Sequence, residues 1–171
     1  RARKILMNNG FKSLPVKSVF HKLILTDIGK PLPSLLKNGT SVEIHHELFS
    51  GRNNKMTKLF YESSYEAAIH GEKAWMPQPQ IFFLYLVKHL HMHEMNNDSQ
   101  IRLYTDLVIL LENHHEEIIN SELLKLAAQA DMSEIIANHL ATLREFWSII
   151  FPDWLNDFIN KNNDRESANK F

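Results

Sequence analysis

Two styles of hydrophobic patterning divide the chain. In its first third, apolar residues alternate or run briefly between turn signals. "SVFHKLILTDI", residues 18–28, is rich in β-branched and apolar positions and predicts a strand. "SVEIHHELF", residues 41–49, alternates: Val42, Ile44, His46 and Leu48 fall on one face, Glu43, His45 and Glu47 on the other. Between them "GKPLPSLLKNGT" (29–40) carries turn chemistry at both ends around a short apolar patch, a connection short enough for antiparallel pairing. Ahead of both, residues 1–9 read as the end of a helix, with Gly10 suited to the left-handed position that closes it.

From about Leu59 the pattern predicts helices throughout. "MPQPQIFFLYLVKHLHMHEM" is punctuated by proline and then runs helically to about Met95. "QIRLYTDLVILLENHH", "SELLKLAAQAD" and "MSEIIANHLATLREFWSIIF" follow, with Asp98 or Ser99, Ser121 and Ser133 as expected N-caps. A last short helix starts near Pro152, and the polar tail frays. The fold class is α+β: a β element with a leading helix over 1–55, a helical bundle over 56–162, and a tail over 163–171.

Composition narrows the chemistry. With 171 residues, 44% hydrophobic, the chain buries a core without staples. It has no cysteine, which excludes disulfides, zinc-thiolate sites and cysteine catalysis. A formal charge of -1 carries no signature of nucleic-acid binding. The longest apolar run, "IFFLYLV" (81–87), falls well short of the roughly 20 residues of a membrane span. With no signal peptide visible, a soluble cytoplasmic protein is expected. The first methionine, Met7, sits inside a predicted helix, so the sequence is expected to be a piece of a longer chain.

Candidate chemistry lies in the strand row and in the histidines. Glu43, His45 and Glu47 form either a solvated strand face or a site for Mg²⁺, Mn²⁺ or a transition metal. In "KHLHMHE", His89 and His93 share a helical face with Phe82 and Leu86, while His91 points elsewhere. Their spacing suits metal chelation or a hydrogen-bonded pair, but the glutamate base of an H-E-x-x-H protease is missing. No adjacent His-Asp pair occurs for a phosphohydrolase. Arg102 and Asp106 stand one turn apart, either as a surface ion pair or as groups orienting the imidazoles. "NHHEE" (113–117) reads as helix-end capping. Phe146, Trp147, Ile150, Phe151 and Trp154 make an aromatic-rich stripe, suited to a core or to a protein partner.

The order of segments is familiar. "GFKSLPVKSVFHKLILTDIGKPLPSLLKNGTSVEIHHELF", then "PQPQIFFLYLVKHLHMH" and "IRLYTDLVILLE" resemble, over roughly residues 4–112, the uncharacterised nucleotidyltransferase family of the DNA polymerase β-like superfamily. The resemblance implies transfer of a nucleotidyl group from an NTP to an unknown acceptor, with Mg²⁺ or Mn²⁺ held by strand carboxylates. Glu43 matches the third of those carboxylates. His45 is then expected to touch metal or phosphate, or to orient Glu43. His89, His93, Arg102 and Asp106 are expected near the nucleotide. The family's Gly-Ser turn and Asp-x-Asp pair are absent upstream of Glu43. The β element is therefore expected to be the remnant of a nucleotidyltransferase-like antiparallel or mixed sheet, in a fragment inactive alone. The alternatives are a non-catalytic helical interaction module docking through the 146–154 stripe, and a transition-metal site at His89 and His93.

Overall fold

The computed structural model describes residues 1–14, 33–45, 47–49, 55–98 and 101–168, with side chains described as far as Asn162. The strand expected over 18–28 lies outside the described residues. The chain divides into two compact units, Arg1–Lys58 and Leu59–Phe171.

In the first unit, helix α1 (Ala2–Asn8) leads into a three-stranded antiparallel sheet of β1 (Lys12–Ser13), β2 (Leu35–Lys37) and β3 (Thr40–Val42), in that order. Gly10 closes α1 with φ +87, as its position predicts. Asn38 (φ +50) and Gly39 (φ +79) form the two-residue turn between β2 and β3, because a type I′ turn needs positive φ at both central positions. Leu35 is the fully buried residue of this sheet.

Two expectations fail here. The segment expected to be turn and patch, 29–40, supplies strand β2. The strand expected over 41–49 ends at Val42, so Glu43, His45 and Glu47 do not form a row on a rigid strand. The register explains the early end. Leu35 pairs with Val42, one further step sets Ser34 opposite Glu43, and the next meets Pro33, which has no N–H to give a ladder.

Helix α2 (Lys55–Glu62) is followed by a hairpin, β4 (Tyr65–Ile69) and β5 (Glu72–Met76). The hairpin overturns the expectation of helix throughout from Leu59. His70 (φ +51) and Gly71 (φ +82) make its turn. Most of its residues are exposed on both faces, so no apolar-polar alternation betrayed it.

The second unit is built on α3 (Pro79–Met95), α4 (Ile101–Ile118), α5 (Ser121–Gln129), α6 (Ser133–Trp147) and α7 (Asp153–Ala168). Apolar residues surround α3, as a central helix requires, and it packs against α4, α5 and α6, while α7 packs on α6. Phe83, Leu84, Val87 and Leu90 of α3 are fully buried, as are Leu107, Leu123, Ile136 and Leu140 of the helices packed against it.

Pro79 opens α3 at its first turn, as predicted. The caps fall one residue early. Asn120, not Ser121, caps α5, its side-chain oxygen accepting from the Glu122 N–H at 3.0 Å, and Met132 rather than Ser133 precedes α6. His114 (φ -135, ψ 31) breaks the regular course of α4. Helix α7 continues to Ala168, into the tail expected to fray.

Candidate functional site

Glu43 leaves the sheet directly after β3, and two groups hold its carboxylate. The Ser34 hydroxyl donates to Oε1 at 2.9 Å, continuing the β2–β3 register in side chains. His45 Nε2 lies 3.5 Å from Oε2. Both side chains are about half exposed, 53% for Glu43 and 44% for His45, so water and a ligand reach the pair. Glu47 is half-buried, and its Oε2 has no hydrogen-bond partner among the described residues.

The second unit carries the expected histidines. Along one face of α3, Phe82 stacks on Tyr85 and Tyr85 on His89, whose ring meets His93 edge-on at 4.7 Å. This ladder follows from helical spacing of three to four residues. His93 Nδ1 is 2.9 Å from Asp98 Oδ2, at the C-terminal end of the helix. His89 and His93 are therefore brought together, as expected.

Arg102 and Asp106 are not drawn in to orient them. Both are exposed on α4 and form no ion pair with each other. Asp106 instead rims a groove of about 400 Å³ lined by Phe82, Leu86, Ile109 and Leu110.

A third cluster lies where α3, α4 and α6 meet. His139 of α6 is 3% exposed. Its Nδ1 is 3.2 Å from the Tyr104 hydroxyl, which donates to Glu94 Oε1 at 2.9 Å. His139 Nε2 stands 3.7 Å from Glu94 Oε2, and the His91 ring sits edge-on to that of His139. Trp147 stacks on Tyr104 with centroids 4.9 Å apart. Burial pushes the Tyr104 phenol up to about 12, the Glu94 hydrogen bond and charge adding to it and Thr142 opposing. Burial lowers the His139 imidazole, Glu94 pulling it back up and His91 pushing it further down.

The sequence matches, over residues 1–148, the model of a family described as an uncharacterised nucleotidyltransferase. The chain belongs to that family. Its resemblance to polymerase β-like enzymes is consistent with the match. No curated protein and no solved structure matches the chain.

For a member of this nucleotidyltransferase family, the notable surprise is the third cluster. Helical spacing sets His91 off the face of His89 and His93, and no motif in the sequence marks Glu94, Tyr104 or His139. One signal was available: His139 interrupts the buried apolar series Ile136, Ala137, Leu140 and Leu143. A histidine in such a series needs a partner. Which partner it finds depends on how α6 crosses α3, and spacing along one helix does not carry that.

Proposed function

We propose that this family member takes part in metal-dependent transfer of a nucleotidyl group from an NTP to an acceptor, with Glu43 as a metal-binding carboxylate. Family membership over residues 1–148 is the observation that carries the reading. The accessible Glu43 carboxylate, steadied by Ser34 and His45, supports it. In such a transfer an acceptor oxygen bonds to the α-phosphorus, the bond to the β-phosphate bridge breaks, and pyrophosphate leaves.

The fit to metal is partial. Mg²⁺ prefers oxygen ligands, keeps several waters and accepts one or two carboxylates together with phosphate oxygens. Glu43 suits one such ion, and His45 is better matched to Mn²⁺. A bound ion would neutralise phosphate charge. A pair of metals needs further carboxylates, and the 171 residues contain no Asp-x-Asp. By themselves they are expected to bind a metal–NTP complex weakly and to show no turnover. In this proposal His45 orients Glu43 or meets phosphate, while His89, His93, Arg102 and Asp106 belong to the nucleotide-facing part of the protein, and the reaction is cytoplasmic.

The test is Mn²⁺ with a non-hydrolysable NTP, followed by NMR. Paramagnetic broadening is expected at Ser34, Glu43 and His45 and is expected to vanish in Glu43→Gln. Broadening that spares these residues, or that is the same in Glu43→Gln, refutes the role given to Glu43.

A second reading, an interaction module, is favoured by Phe146 (71% exposed) and Ile150 (87%) on the aromatic-rich stripe. Trp147 is a poor probe of it, because it packs on Tyr104. Sedimentation of Phe146→Asp tests self-association: an unchanged monomer in both proteins counts against it.

A further inference from the structure

We propose that His91, Glu94 and His139 form a binding site for a transition-metal ion of the zinc class, separate from any metal at Glu43. One ligand atom from each residue lies within 4.8 Å of the others. Two imidazoles and a carboxylate are a donor set that Zn²⁺ accepts, with a fourth position left for water or a ligand. It is a poor set for Mg²⁺, which favours oxygen.

Proton accounting supports the assignment. Glu94 as a carboxylate only accepts, so the Tyr104 hydroxyl gives its single proton to Glu94 Oε1. The same hydroxyl therefore accepts from His139, which fixes the His139 proton on Nδ1. The other nitrogen, Nε2, then turns its lone pair toward Glu94 Oε2 at 3.7 Å. Two acceptors facing each other call for a cation between them, either a second proton on His139 or a metal ion.

The surroundings favour the metal. His139 is 3% exposed and held in place by its packing, as a preorganised ligand is. Ligating histidines commonly donate their other N–H to a fixed acceptor, and the Tyr104 hydroxyl serves as one here. Tetrahedral zinc at its usual bond lengths sets donors about 3.3 Å apart. His91 and Glu94, both only half-buried on α3, have the rotamer freedom to close a remaining gap of up to about 1.5 Å.

The site also differs from the pair expected at His89 and His93. Those rings meet each other and His93 meets Asp98, and among the described residues they are not part of a group of three ligands. His91, on the flank of the same helix, meets His139 of α6.

The experiment is a titration of the chelator-stripped chain with Co²⁺, read by its visible ligand-field bands, followed by displacement with Zn²⁺. One equivalent is expected to bind. His91→Ala and Glu94→Gln are expected to weaken it by at least about tenfold, and His115→Ala to leave it unchanged. Because His139→Gln removes a buried group and risks the fold, the half-buried His91 is the deciding variant. A titration that does not saturate overturns the proposal, as does wild-type affinity in His91→Ala. Loss of binding in His89→Ala with retention in His91→Ala also overturns it.

Discussion

Tyr104→Phe isolates what one hydroxyl contributes to the junction of α3, α4 and α6. The substitution keeps the ring and its stack on Trp147, so no cavity opens. It removes the donor to Glu94 and the acceptor for His139. The two losses are unequal. The Glu94 side chain is 32% exposed and replaces its partner with water. His139, 3% exposed, cannot, and an unsatisfied buried polar group costs about 1–3 kcal/mol. The sum is about 2 kcal/mol, set mainly by His139. With a urea dependence of about 2 kcal/mol per molar, the unfolding midpoint falls by about 1 M.

The assay is urea unfolding followed by circular dichroism at neutral pH with excess chelator, which keeps metal out of the comparison. Tyr65→Phe, on the exposed hairpin, is the control and is expected to stay within about 0.5 kcal/mol. In a background of His139→Phe the cost of losing the hydroxyl is expected to shrink by about 1 kcal/mol, as coupled neighbours require. A midpoint that Tyr104→Phe leaves unchanged or raises refutes the bridge.

At the β4–β5 turn, His70→Asn is expected to slow amide exchange across the hairpin by a few tenths of a kcal/mol, since Asn-Gly suits a type I′ turn better than His-Gly. Gly71→Ala is expected to speed it by about 1 kcal/mol, because φ is +82 there; the opposite order would show that turn chemistry does not hold the hairpin. Burial lowers the Lys88 amine below its usual range, with Asp131 opposing. Between that lowered value and the ordinary lysine range the unfolded chain binds the extra proton, so stability rises with pH through this window. The stability of Lys88→Met relative to wild type is therefore expected to decline there; a constant difference, measured by unfolding across alkaline pH, would refute the sign.

Long helices were legible from local signals. Helix α3 runs from Pro79 to Met95 because proline opens it and apolar residues fill the turns that follow, and both signals are local. The turn at Asn38 and Gly39 was equally plain, since few residues tolerate positive φ. Alternation over 41–49 misled because it describes side-chain faces, whereas a strand also needs a hydrogen-bonding neighbour. The β4–β5 hairpin escaped for the converse reason: it has its neighbour but buries little of either face.

By itself, the sequence determined that the chain would be α+β with a helical second part and that cysteine chemistry was excluded. It also determined the family, through the order of its segments. The tertiary structure alone decided that β3 stops at Val42 and that Arg102 and Asp106 stand apart from the histidines. It alone joined His91, Glu94, Tyr104 and His139 from three helices. Local patterns fix dihedral preferences and faces over a few residues. A cluster drawn from α3, α4 and α6 depends on crossing angles, which the packing of the whole core sets at once.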